Sequence, residues 1–337
     1  MTGRPAEPLI AVVIPNYNGA ATIDETLISV RAQTHAHLEI IVVDDGSTDD
    51  STARVARHIT SDRRVRQVEQ ENAGVAAARN HGWRSTNADL VAFIDSDDVW
   101  SPDKLARQLD VMTAGGADVG LVYAGYALID ADRRVIECRP SPALEGDVLH
   151  RLMCGNFVAN GSAALVRRRV LEATGGFEPA LHHAGAQGCE DYLFYLRAAG
   201  ECRFGVVAAP LVGYRRLPGA MSSNVVRMLR SWRMVLDEMA MRHPGMIPLM
   251  RRGYRNYAAW LARAAMFAGR FGQLGDILKT IAAFDAGMSA RIALVDLPRA
   301  LRGAVMGRIW PKRTALITTD AQPLLTPGSL YPIGLVR

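Results

Sequence analysis

The chain has little cysteine, no long apolar run and no glycine cradle for phosphate. Its four cysteines, Cys138, Cys154, Cys189 and Cys202, have neither the spacing of a zinc ribbon nor the density of a disulfide scaffold. That leaves free thiols in a reducing cytoplasm. The apolar run nearest the N-terminus, LIAVVI (9–14), stops at Pro15 and Asn16, too short for the core of a signal peptide. No other stretch reaches the roughly 18–20 apolar residues that a bilayer span requires. There is no Walker-type loop, and no GxGxxG follows a strand. Phosphates of a bound nucleotide would therefore need a metal rather than a glycine cradle. Internal repeats and low-complexity blocks are also missing. Acidic residues are scarce in the rear of the chain: residues 225–337 hold 17 Lys+Arg against 6 Asp+Glu, while the remainder holds 22 against 28. A basic rear suits an anionic partner, and equally suits an ordinary Arg-rich helical surface.

What is present reads as a globular protein of one large domain with an extension, with 337 residues, 49% of them hydrophobic and 22% charged. Strands are predicted at LIAVVI (9–14), LEIIVVDD (38–45), VRQVEQ (65–70) and DLVAFIDSDD (89–98), with helices at 22–34, 49–60 and 74–86 between them. Strand–helix repetition with continuous apolar strands implies a sheet, mostly parallel, covered by helices on both faces. Ser101 and Pro102 predict a helix start, giving a helix over 101–113. Two strands follow within 119–137, then a loop-rich stretch over 138–160, a strand at 162–168, a helix at 189–200 and a strand at 202–210. After about residue 220 the strand signals stop. Helices are expected near 224–242, 247–269, 272–284 and 289–307, with the last twenty residues a loose tail. The division is thus 1–220 for an α/β domain and 221–337 for a basic α-helical extension.

In sheets of this kind ligands bind at the carboxyl ends of the strands, and the chemically informative residues lie there. IPNYNG (14–19) ends the first strand in a polar turn. VVDDGSTDDS (42–51) ends the second with two carboxylates. There Asp44 and Asp45 either cap the next helix, with Ser47 or Thr48, or accept from the N–H of a nucleobase. ENAGVAAARNHG (71–82) opens a helix with a small-residue face, and Arg79 projects from it towards phosphate or nearby carboxylates. FIDSDD (93–98) sets Asp95, Asp97 and Asp98 at the end of an apolar strand. Like charges this close repel, so the cluster is either a solvated turn or the seat of a hard divalent cation, Mg²⁺ or Mn²⁺, that bridges to substrate phosphates. Glu190 and Asp191 in CEDYLFYLR either complement a helix dipole or do proton chemistry.

In order and separation these stretches resemble the family 2 glycosyltransferases of GT-A fold, over about residues 9–217. The resemblance rests on Pro15, Tyr17, Asn18, Asp44, Asp45, Gly46, Ser47, Asn72, Gly74, Arg79, Asn80, Asp95, Asp97, Asp98, GGFEP (175–179) and Glu190-Asp191. It implies an inverting, metal-dependent transferase that uses a nucleoside-diphosphate sugar, UDP- or dTDP-linked, in bacterial polysaccharide or cell-wall glycan assembly. By the same resemblance Pro15 and Tyr17 line the base, Asn18 belongs to the nucleotide-sugar site, and Asp45 takes the base N–H. Gly74 and Arg79 belong to the nucleotide site. Asp97 ligates Mn²⁺ or Mg²⁺, and Asp95 contacts the ribose or the waters of the metal. Asp191 is the general base and Glu190 orients the acceptor.

One position departs from the pattern. In GYRRLPGAMS (213–222) Leu217 stands where family members often carry a metal-ligating histidine. His182 and His183 are either substitutes or plain loop residues. The basic rear has three readings: a structural cap or dimer surface, a contact with a membrane near a lipid-linked acceptor, or a seat for an anionic glycan. RMLRSWRM (227–234) fits an interfacial helix and also a core helix with an exposed basic face, and nucleic acid is not among the expected partners. Two rival functions remain. A nucleotidyltransferase would carry a glycine- and lysine-rich N-terminal loop, which is missing. A non-catalytic glycan-binding protein of the same fold would not need Asp97 and Asp191.

Overall fold

The computed structural model describes residues 7–139, 141–217, 224–302 and 325–334. Its sheet is built from β1 (Ile10–Asn16), β2 (Leu38–Asp44), β3 (Val65–Glu69), β4 (Leu90–Phe93), β5 (Val99–Trp100), β6 (Val119–Ile129), β7 (Val135–Arg139), β8 (Ala164–Arg167) and β9 (Arg203–Arg215). The strand order is β3-β2-β1-β4-β8-β6-β9-β5, with β7 paired to the far end of β6. β3, β2, β1 and β4 run parallel. β8 joins them antiparallel, and β6 and β9 run parallel to each other beyond it. The sheet is thus mixed, as expected. Alternation along β1 feeds two cores: Ala11 and Val13 face one, and Ile10, Val12 and Ile14 face the other.

Helices α1 (Ile23–Arg31), α2 (Ser51–Ser61), α3 (Val75–Arg84) and α4 (Lys104–Ala114) connect or cover the strands of the front part. α4 begins at Lys104 rather than at 101. The Ser101 hydroxyl donates to Asp103 Oδ1 at 2.7 Å, and the Ser101 carbonyl accepts from the Lys104 N–H, so Ser101 opens a turn ahead of the helix. Neither Ser47 nor Thr48 caps α2; Asp49 Oδ1 takes the Ser51 N–H at 3.0 Å instead. The middle of the chain adds α5 (Leu149–Leu152), α6 (Arg168–Thr174), α7 (Ala180–His183) and α8 (Glu190–Glu201).

The rear helices are α9 (Val225–Arg242), α10 (Ile247–Phe267), α11 (Phe271–Ala282) and α12 (Ala286–Arg291), the last continuing as helix to residue 302. Residues 303–307 of the expected last helix lie outside the described residues. α9 carries buried Leu229 and Trp232. Trp232 packs on Tyr192 of α8 and on Tyr254 of α10, with ring centroids 5.1 and 5.5 Å apart. RMLRSWRM is therefore a core stretch, not an interfacial one. The Ser231 hydroxyl accepts the Cys189 N–H at 3.0 Å, and Arg197 of α8 is paired with Glu238 of α9. These contacts bolt the rear helices against the N-terminal turn of α8. The rear helices and one face of the sheet share a single apolar cluster.

Residues 325–334, expected to lie loose, pack onto the sheet instead. Tyr331 is buried with Val99, Ala127, Ile129 and Val135, and its hydroxyl donates to the Pro210 carbonyl at 2.9 Å. The ring and its satisfied hydroxyl, together with backbone hydrogen bonds between Val135 and both Gly328 and Ser329 and between Tyr331 and Arg133, anchor a segment otherwise rich in turn residues. Among the described residues no helix is long and apolar enough to cross a membrane.

Candidate functional site

The carboxyl ends of β1, β2 and β4 meet at one edge. Pro15 is buried within β1 opposite Val43. Tyr17 is 54% exposed, so its ring is the free surface of this turn. Asn18 accepts from the Thr48 N–H at 2.8 Å, and its own N–H donates to Ser47 Oγ at 3.0 Å. The turns after β1 and β2 are thereby tied together. Asn16 donates from Nδ2 to Asp44, Ser47 and Ser51, while its Oδ1 is buried without a partner.

Asp45 is buried and accepts from Gln70 Nε2 at 2.7 Å and from the N–H groups of Ala73 and Gly74, both at 2.9 Å. Its carboxylate draws the loop before α3 over the end of β2. Gly74 sits there with φ +87°, and a Cβ would lie 2.6 Å from His182 Nδ1. Only glycine meets both demands. His182 is held against this glycine by Gln187, which in turn accepts from Arg227 of α9 at 3.1 Å. The histidine, on the short helix α7, thus closes over the start of α3.

Arg79 of α3 is buried at the centre. It forms an ion pair with Asp95, lies 5.1 Å from the ring centre of Phe177, and has an unpartnered Nε. Burial alone would lower its pKa; the charges of Asp95, Asp191 and Glu190 outweigh that and raise it. Phe177 belongs to GGFEP and is fixed by Asn80 of α3, whose side chain bonds both the Phe177 N–H and carbonyl, at 3.0 and 2.7 Å. That clamp explains why Asn80 and GGFEP occur together.

The three carboxylates of DSDD diverge. Asp98 turns inward, accepting from the Ser162 hydroxyl at 2.5 Å and from the Arg215 N–H at 2.9 Å. Burial raises its pKa well above the usual carboxylate range, and the neighbouring Asp97 and Asp95 add to this. Thr22 and Thr26 of α1 hold the turn through the carbonyls of Ser96 and Asp98. Asp95 and Asp97 remain partly open. Burial, then the charge of Asp95, pushes Asp97 up to about 6. A pair of hard oxygen donors, one of them already facing Arg79, fits Mg²⁺ or Mn²⁺, which keep waters and take phosphate oxygens to complete their shell. Among the described residues no group of three or more His, Cys, Asp or Glu is placed to hold a metal, so protein ligation would stop at this pair.

Glu190 and Asp191 open α8. Glu190 is buried; Oε2 accepts the Gly188 N–H at 2.8 Å, and Oε1 has no partner. Burial raises its pKa. Asp191 accepts the Tyr192 N–H at 2.7 Å. Burial pushes its pKa to about 7, with Arg79 opposing and Glu190 assisting. A carboxylate in this range can take a proton near neutral pH.

Two groups escaped the sequence reading. Arg215, one residue after Tyr214 in GYRR, is buried and donates to the Asp97 carbonyl at 2.8 Å and to Glu25 at 2.6 Å. It clamps the acidic turn from β9. Asn160 and Ser162 of NGSA form a second brace. Ser162 Oγ accepts the Asp95 N–H at 3.0 Å, and Asn160 Nδ2 is buried without a partner. Ala159, just before them, has φ +81°, a strained value for a non-glycine residue. A cavity of about 240 Å³ opens beside this turn, lined by Tyr126, Ser141, Pro142, Asn156 and Phe157 among others.

A mixed α/β sheet with acidic strand ends gathered round a buried arginine is an arrangement of the GT-A type. Residues 11–175, just under half of the chain, match the model of Glycosyl transferase family 2, and over this stretch the chain is similar to that family. It is 32% identical over 192 residues to an uncharacterized glycosyltransferase of Nostoc sp., covering 54% of this chain and 58% of that protein. It is 34% identical over 123 residues to the Escherichia coli UDP-Glc:alpha-D-GlcNAc-diphosphoundecaprenol beta-1,3-glucosyltransferase WfgD, covering 36% and 47%. The chain thus spans about half the length of these curated relatives. Among solved structures, S. aureus TarS in complex with UDP-GlcNAc superposes with TM-score 0.61 at 15% identity, covering 88% of this chain and 92% of that one. The mannosyltransferase PcManGT from Pyrobaculum calidifontis, in complex with GDP-Man and Mn²⁺, gives 0.56 at 20% identity, covering 91% and 82%. These two likenesses establish the fold.

Proposed function

We propose that the protein is an inverting, metal-dependent glycosyltransferase. It moves a sugar from a UDP- or dTDP-linked donor to a hydroxyl of a glycan or lipid-linked acceptor, on the cytoplasmic side, in bacterial surface-glycan assembly. The observation that carries this reading is the position of Arg79. It joins Asp95 on the donor side to Asp191 and Glu190, about a hundred residues later, in one buried charge cluster. The name of the WfgD relative supports a nucleotide-sugar donor and a diphosphate-lipid acceptor.

In this reading Tyr17, Asn18, Pro15 and Asp45 form the base end of the site, with Gly74 allowing close approach of the loop. Arg79 sits between donor and acceptor sides and balances their carboxylates. The acceptor oxygen attacks the anomeric carbon as the bond to the diphosphate breaks, and the hydroxyl proton passes to Asp191. Glu190, with its free Oε1, orients the acceptor. A divalent cation on Asp97 and Asp95 would supply positive charge and Lewis acidity at the diphosphate when bound. The rear helices hold the first turn of α8 through Ser231 and Trp232, and so fix the base.

Calorimetric titration with UDP-, dTDP- and GDP-sugars in the presence of Mn²⁺ tests the reading. Saturable binding of at least one donor is expected. Absence of binding across all three classes would count decisively against it.

A further inference from the structure

The basic rear has one exposed face that the catalytic reading does not use. On α10, Arg252, Asn256, Trp260, Arg263 and Phe267 are all exposed and follow the four- and three-residue spacing of one helix stripe. Arg270 and Phe271, at the start of α11, are exposed directly after it in the chain. Trp260, Phe267 and Phe271 are 52%, 55% and 69% exposed, although buried positions on the same helix were available for aromatic rings, as Tyr254 shows. Arg252, Arg263 and Arg270 make no ion pair among the described residues, unlike Arg233 and Arg251, which are paired with Asp237 and Asp285. From 252 to 267 the stripe runs about 22 Å at the rise of an α-helix.

We infer that this face docks on an anionic lipid surface, with Trp260, Phe267 and Phe271 entering the headgroup–acyl boundary and Arg252, Arg263 and Arg270 meeting lipid phosphates. Aromatic side chains alternating with unpaired arginines match the interfacial zone of a bilayer, where one part of the residue is apolar and the other wet. A second copy of the chain fits less well. A two-fold contact would place this face on itself, bringing unpaired arginines against unpaired arginines. A soluble polyanion would satisfy the arginines but leave the three aromatic rings unexplained. The inference does not depend on the transferase reading, and it assigns the interfacial role to α10 and α11 rather than to residues 227–234.

The test is flotation of the full chain with vesicles of phosphatidylcholine alone and with phosphatidylglycerol added. Light scattering runs alongside, on wild type, on the triple variant Trp260→Ala/Phe267→Ala/Phe271→Ala and on Arg252→Glu/Arg263→Glu. Wild type is expected to float with the anionic vesicles only. Each variant should bind at least about tenfold more weakly while keeping its circular dichroism spectrum and donor binding. Lack of binding to anionic vesicles, or binding that both variants retain, overturns the proposal. So does a wild-type dimer that the triple variant converts to monomer, which would assign the face to a second copy. Binding of a soluble polyanion that displaces the vesicles and survives loss of the three aromatics would assign it to a glycan.

Discussion

Replacing Asp191 by Asn separates catalysis from stability in opposite directions. The folded Asp191 carboxyl keeps its proton up to about pH 7, whereas in the unfolded chain it ionises near its ordinary 3.8. Between these values the folded state binds the extra proton, so its stability falls as pH rises from about 4 to 7. At full ionisation the displacement corresponds to about 4 kcal/mol, and relaxation with water entry reduces this to about 2 kcal/mol. Asn carries no charge and still accepts the Tyr192 N–H. Urea unfolding at pH 5 and pH 8 should therefore show Asp191→Asn more stable than wild type by about 2 kcal/mol at pH 8, with a much smaller gain at pH 5. Turnover should fall by about 10²–10⁴, the ordinary yield of a positioned base, while donor affinity is kept. The wild-type rate should rise with pH through a midpoint near 7. A variant that keeps its turnover, or is destabilised equally at both pH values, would refute the reasoning.

The other predictions concern the groups round that carboxylate and one buried lysine. Asp97→Ala should abolish stimulation of turnover by Mn²⁺ and weaken donor binding in the presence of the metal; calorimetry with and without Mn²⁺ reads this directly. Gly161→Ala would set a Cβ 2.3 Å from Arg79 Nη2 and push the guanidinium off Asp95, so turnover should drop by at least about tenfold with little change in the far-ultraviolet spectrum. Lys104 is fully buried; its ammonium lies 3.8 Å from the Trp100 ring centre and donates only to Gln108. Burial lowers its pKa well below the usual lysine value, so the unfolded chain binds the extra proton and wild-type stability rises towards alkaline pH. Lys104→Met should stabilise by about 1 kcal/mol at pH 7, a gain that shrinks as pH approaches 10 in urea titrations.

The alternation of strand and helix in the first hundred residues was legible because each strand is a short Val/Ile run that ends in a polar turn. The carboxyl-end location of Asp45, Asp95 and Asp97 followed from that topology alone. Contacts made across many residues were not legible. Asp98 looks like a third metal-facing carboxylate in FIDSDD, yet Ser162 and Arg215, 64 and 117 residues away, turn it inward. Arg215 carried a local signal, the GYRR run, but its targets lie far off in sequence, in the turn at Asp97–Asp98 and on α1 at Glu25. Trp232 in RMLRSWRM reads equally as interfacial or core, and only the position of Tyr192 and Tyr254 decides. Composition likewise suggested a loose tail at 325–334, because Pro, Gly and Thr outweigh Tyr331, and the backbone bonds to Arg133 and Val135 that hold the segment leave no mark in the sequence.

The central claim is that Asp95 and Asp97 form the donor-diphosphate site of a sugar transferase and that Asp191, across Arg79 from Asp95, is its base. Its most direct test is release of nucleoside diphosphate from a panel of UDP- and dTDP-sugars, with and without Mn²⁺, by wild type, Asp97→Ala and Asp191→Asn. The account predicts metal-dependent release by wild type from at least one donor, lost in both variants, with donor binding kept in Asp191→Asn. Release that is indifferent to Mn²⁺ and to both substitutions would contradict it.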